Sequence, residues 1–182
     1  MFNTSIQALK DSQRILDVKA LEKSATLIAG ASKVLVLGIG ISGIIAQDFW
    51  WKLFRIGMNA DYFDNPTTMK MATAIVNPGD VVFAVSHSGS TTVIINSLSN
   101  ARSRGAKTIG LTNYVSSPMT QHTDVLLLTA SRETGVREEE MTARIAQLAI
   151  IDALFVTIAN RSYENSSALL KKTRVAASDD KV

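Results

Sequence analysis

Four hydroxyl residues fall within Ser86-His87-Ser88-Gly89-Ser90-Thr91, and a second short segment, Gly38-Ile39-Gly40-Ile41-Ser42-Gly43, interleaves glycines with isoleucines and a serine. Residues of these types suit the binding of an anion. Glycine lets the backbone turn tightly enough for its N–H groups to converge on one point, hydroxyls add donors without adding charge, and a helix that begins at such a loop directs its positive dipole end to the same place. Gly40, Ser42, Ser86, His87, Ser88, Gly89, Ser90 and Thr91 are therefore the candidate binding residues.

Both segments follow short apolar runs, Val34 to Leu37 and Val81 to Val85. Runs at 33–38, 81–85, 107–112 and 124–128 are too short for ordinary helices and rich in Val, Ile and Leu, as strands covered on both faces should be. A further short strand at 60–63 makes five. The intervening segments read as helices. Residues 4–30 form two pieces, with Asp17 as an N-cap and Gly30 as the stop; Ile45, Phe49, Leu53 and Ile56 mark another helix. Asn65-Pro66 supplies a cap and a first-turn proline, Ile94, Leu98 and Ala101 mark a third stripe, and Ser117-Pro118 opens a short fourth piece.

Strands alternating with helices predict an α/β fold: a three-layer αβα sandwich around a five-stranded parallel sheet of order 2-1-3-4-5, with right-handed crossovers. Ligands bind such sheets beyond the carboxyl ends of the strands, where the winding reverses between the first and third strands. Both loops are expected there. The chain divides into a helical segment 1–30, the α/β domain 31–162 and a helical tail 163–182, with no DNA-binding domain among these residues.

The chain has 182 residues, 46% of them apolar, and a formal charge of +3, which fits one domain with a full core. Its basic residues are scattered rather than interleaved with aromatics, so nucleic-acid binding by this chain alone is not expected. With no cysteine and two histidines, neither a disulfide nor a metal site is expected. Gln147 and Asp152 interrupt the most apolar stretch, so the expectation is a soluble, cytoplasmic protein with no membrane contact. The helix read at about 138–160 is apolar nearly all round, which predicts that a second subunit covers part of it, in a homodimer or tetramer, the alternative being a helix buried wholly within one monomer.

Gly38, Gly40 and Gly43 also match the dinucleotide fingerprint, and Asp61 lies about where a ribose-binding acid belongs. Against that reading, the sheet uses up most of the chain and the loop after the third strand is a second anion loop, for which a dinucleotide fold has no need. A single phosphomonoester fits better, and no cofactor is expected.

These loops carry a family resemblance. Gly40-Ile41-Ser42 and Ser86-His87-Ser88-Gly89-Ser90-Thr91, at this separation, resemble the sugar isomerase (SIS) domain, whose members bind phosphosugars on a flavodoxin-like, Rossmann-like fold. Asn77-Pro78-Gly79-Asp80-Val81, Gly105-Ala106-Lys107-Thr108-Ile109, Ser117-Pro118 and Ala143-Arg144-Ile145-Ala146-Gln147-Leu148 extend the likeness, over about residues 4–161, to the effector domain of RpiR-family transcriptional regulators. The resemblance implies that Ser42, Ser86, Ser88 and Thr91 hold phosphate through hydroxyls and that Gly89 and Ser90 offer backbone N–H groups. His87 stands at a variable position, either donating to ligand or steadying the loop, and Ser42 could equally be the N-cap of the helix it precedes. The ligand would be a phosphorylated sugar or amino sugar. DNA would be reached only through a helix-turn-helix domain not present here. The alternative is a stand-alone aldose–ketose isomerase, which needs a base to move a proton between adjacent carbons. Glu138, Glu139 and Glu140 could supply one, Glu140 first among them. Arg137 and Arg144 are candidates to touch ligand or a neighbouring subunit, with Glu140 sharing that alternative, or else to pair with the glutamates at the surface.

Overall fold

The structure, a computed structural model, describes residues 2–131 and 139–178, and the side chains of all of these but 139–141. Five strands form one parallel sheet: β1 (Val34–Gly38), β2 (Ala60–Phe63), β3 (Val81–Val85), β4 (Lys107–Thr112) and β5 (Val125–Leu128), in the order β2-β1-β3-β4-β5. Every residue of β1 and β3 is buried, as central strands between two helical layers must be.

Alternate residues feed two cores. Val34, Val36, Val81, Phe83 and Val85 face α2 (Val18–Ala29), α3 (Ile41–Arg55) and α6 (Glu139–Asn160); Leu35, Leu37, Val82 and Ala84 face α4 (Pro66–Thr73) and α5 (Thr92–Ser103). The first core centres on Phe49 of α3, whose ring lies 4.6 Å from that of Phe83. α1 (Phe2–Ile15) and α7 (Tyr163–Ser178) pack outside, both against α6. A 3-10 turn at Pro118–His122 links β4 to β5.

The three-layer arrangement and strand order are those read from the sequence, and the strand limits agree to within a residue. The local reasons hold as well. Asp17 accepts from the N–H groups of Lys19 and Ala20 to start α2, and Asn65 accepts from Thr67 and Thr68 ahead of Pro66 to start α4. Ile45, Phe49, Leu53, Ile94, Leu98 and Ala101 are all buried.

α6 packs against α1, α2, α3 and α7 of this chain, with Ala146, Ile151 and Leu154 fully buried. Ile145 and Val156 remain exposed on it. Its stretch Thr142–Asn160 has the length and hydropathy of a membrane span, and 44% of it is buried against the rest of the chain.

Candidate functional site

β1 and β3 are neighbours in register, with Gly38 opposite Val85, so the chain leaves both strands at the same point of the sheet edge. After β1 the backbone passes through Gly40 at φ 60° and ψ −127°, a region open to glycine, and enters α3 directly. A Cβ on Gly40 would meet nothing within 4 Å, so conformation rather than crowding demands glycine here. Gly40 is the N-cap. Ser42 therefore sits inside the first turn of α3, not at its cap, and its hydroxyl accepts a long hydrogen bond of 3.4 Å from the His87 N–H. That contact joins the two loops.

The serine loop is fixed from within and from β4. Ser86, 2% exposed, uses its hydroxyl to accept from the Gly89 N–H at 3.1 Å and to pair with the Thr91 hydroxyl at 3.3 Å. The His87 carbonyl accepts from the Asn113 N–H and the Thr112 hydroxyl, and the Gly89 carbonyl from the Met119 N–H. Ser88 is exposed and accepts from the Ser90 N–H, which leaves its own O–H pointing outward to donate. Carbonyl oxygens are thus consumed inside the loop and donors are left over, the polarity an anion requires.

Helix starts carry the same signature. α2 and α4 are capped by their own Asp17 and Asn65 side chains. α3 and α5, the two helices that begin at the paired loops, have no side-chain cap: Gly40 has no side chain to offer, and the Thr91 hydroxyl is turned to Ser86. Apart from Gly43, whose N–H donates to the Gly40 carbonyl, their first-turn N–H groups are left for an external acceptor.

Two hollows flank the joined loops. A cavity of about 180 Å³ is walled by Ile39, Ile41, Ser42 and His87 on one side and by Ala143, Arg144 and Gln147 of α6 on the other. A wider, more open one of about 630 Å³ lies across the serine loop, between Ser88, Ser90 and residues 113–118. The His87 ring meets the Tyr114 ring edge-on at 5.7 Å, so it stands between the two hollows rather than free in solvent. Behind α3, burial and then the Asp64 carboxylate raise the Tyr62 phenol above its ordinary pKa; that hydroxyl would lie 3.2 Å from a Cβ on Gly43, so the helix start is closely backed.

The structure thus brings Gly40, Ser42, Ser86, His87, Ser88, Gly89, Ser90 and Thr91 into one site, with Ser86 serving as the loop's internal frame. Arg144 lines the smaller cavity. Arg137 and Glu138 lie outside the described residues, as do the side chains of Glu139 and Glu140 at the start of α6. Asp61 is the second residue of the four-residue β2, where it pairs with Lys33, two residues short of the carboxyl end of the strand at which a ribose-binding acid belongs. Spacing along the sequence could not say at which end of the strand it would fall. Among the described residues no group of three His, Cys, Asp or Glu side chains is placed to hold a metal.

Two contributions escaped the motif reading. Residues 112–119, following β4, form an outer wall and anchor the serine loop, which only the sheet order could indicate. Gln147 reaches the cavity from α6; its signal was a lone amide within Ile145–Ile151, easily taken as an interruption of a core stripe.

A parallel α/β domain with hydroxyl-bearing, donor-rich loops at the carboxyl ends of its two central strands is the class that fold and site define. The particular family follows from comparison: residues 27–157 match the SIS domain, and the chain belongs to that family. It is 36% identical over 173 residues to the uncharacterised HTH-type transcriptional regulator YbbH of Bacillus subtilis, covering 94% of this chain and 61% of that protein. Among solved structures it superposes on the Vibrio vulnificus NanR protein complexed with ManNAc-6P, with a TM-score of 0.89 and 25% identity, covering 96% of this chain and 66% of that one. It likewise resembles the sugar isomerase domain of the RpiR transcription factor from Sphaerobacter thermophilus, with a TM-score of 0.86 and 25% identity over 95% of each chain. The chain spans about three fifths of the length of the curated relative it matches.

Proposed function

We propose that these residues form the phosphosugar-sensing effector domain of a cytoplasmic transcriptional regulator of carbohydrate metabolism. The observation that carries this reading is the pair of uncapped helix starts, α3 and α5, meeting beside the hydroxyl donors of Ser42 and Ser88. Two dipole ends and a ring of neutral donors suit a phosphate dianion, with the sugar extending into a flanking hollow. The likeness to NanR, solved with ManNAc-6P, and to RpiR supports a phosphosugar or amino-sugar phosphate as ligand and DNA contact through a region outside these residues. Binding would alter regulation only through a difference in affinity between two arrangements of a homodimer or tetramer.

Ser88→Ala tests the reading. Its hydroxyl is exposed and free to donate, so its loss should weaken binding of a sugar phosphate about tenfold or more while leaving the fold intact. Isothermal titration of wild type and variant against N-acetylmannosamine 6-phosphate, mannose 6-phosphate and arabinose 5-phosphate gives the affinities. At about a hundredfold excess over Kd, ligand should stabilise wild type by about 2.7 kcal/mol and raise its melting temperature by about 5–11 °C. Equal affinities for variant and wild type would overturn the placement. Rapid aldose–ketose conversion of any of the three would make the chain an enzyme instead.

A further inference from the structure

Gln147 lies on α6, 1% exposed, and its Nε2 has no hydrogen-bond partner. A buried amide donor left unpaired is costly, so proteins rarely keep one without a use. Its surroundings indicate the use. The side chain lines the smaller cavity opposite Ser42 and His87, whose hydroxyl and N–H form the junction of the two loops, with Arg144 one turn earlier on the same helix wall and Ile39, Ile41 and Ala143 as the apolar remainder. The terminal torsion of glutamine is soft, so the amide can turn toward an acceptor that enters the cavity.

We infer that Gln147 reads the sugar: its Nε2 donates to an uncharged oxygen of the ligand, a hydroxyl or an acyl carbonyl, lying beyond the phosphate held at the serine loop. This rests on the reading of the serine loop given above. A neutral donor suits the task. It gives an anionic phosphate little that the loops do not already give, whereas an uncharged oxygen placed beside it satisfies a group that is otherwise orphaned in the ligand-free protein. Sites built on a buried polar group discriminate strongly against analogues lacking its partner. Gln147 would therefore separate phosphosugars from inorganic phosphate, and the bond it leaves unmade without ligand would be a cost of that selectivity.

Gln147→Met, nearly isosteric and without the amide, separates this role from a structural one. The ligand-free variant should melt at or above the wild-type temperature, because an unsatisfied polar group has been replaced by an apolar one. In titrations with inorganic phosphate, mannose 6-phosphate and N-acetylmannosamine 6-phosphate, the preference for sugar phosphate over phosphate should fall about tenfold or more. A loss confined to the N-acetyl sugar would place the contact at the acyl carbonyl; a loss with both would place it at a hydroxyl. A ligand-free variant that melts lower or fails to fold would mean that the amide serves the core, and an unchanged preference would mean that it touches no ligand; either result overturns the inference while leaving the serine loop standing. If wild type and Ser88→Ala bind all three probes alike, or bind none, the reading of the loop falls and this inference with it.

Discussion

Gly89→Ala is expected to abolish sugar-phosphate binding and to destabilise the domain by about 2–5 kcal/mol, the sum of strain and overpacking. Gly89 has φ +62°, and a Cβ built there would lie 2.1 Å from the Ser117 hydroxyl oxygen, 2.4 Å from the Ser117 Cβ and 3.0 Å from the Thr112 hydroxyl. Ser117 is 5% exposed and begins the 3-10 turn, so it cannot swing aside without moving Met119, whose N–H holds the Gly89 carbonyl. The loop would have to lift. Lifting it breaks the Gly89 N–H bond to Ser86 and the Ser86–Thr91 hydroxyl pair, the two contacts that shape the donors. Calorimetric titration should detect no binding at millimolar sugar phosphate, and the chemical denaturation midpoint should fall. A variant with wild-type affinity would mean that the serine loop is not where the ligand is held.

Much of this architecture was legible because its signals are local. Asp17, Asn65-Pro66 and Gly105 mark helix ends whatever surrounds them, and the alternation of strands with helices leaves few topologies open. The serine loop was legible too, since four hydroxyls beside a glycine after a buried strand have few other uses. What escaped depends on pairings across the chain. Whether Gly40 or Ser42 caps α3 is decided by a φ of 60° that residue type alone leaves open. How much of α6 is covered within the chain is decided by how α1 and α7 pack upon it. Gln147 joins the site only because α3 and α6 pack together on one face of the sheet, a hundred residues apart in sequence. Local chemistry thus located the donor-rich loops, and long-range packing located the helix wall that faces them.

Gly38→Ala should have the second large effect, through a different cause. Gly38 ends β1 with unexceptional backbone angles, but a Cβ there would lie 2.5 Å from the Ser42 carbonyl oxygen, 2.8 Å from the Ser42 carbonyl carbon and 2.9 Å from the Ala46 Cβ. Two of these are backbone atoms of the first turn of α3, and no rotamer change can relieve them. The whole helix start must move away from β1, at a cost of about 3 kcal/mol, which for a chain of this length lowers the melting temperature by about 6–12 °C. The displacement also draws Ser42 away from the His87 N–H and widens the cavity that Gln147 closes. Gly40→Ala is the informative companion. Its Cβ would enter open space, so it should lose about 1–3 kcal/mol through backbone strain alone and distort the loop without shifting the helix. Calorimetric melting of the pair should therefore rank Gly38→Ala as the less stable, with both weakened in phosphosugar binding. If Gly38→Ala melts like wild type, the close seating of α3 on β1, which brings its uncapped first turn to the ligand, is wrong.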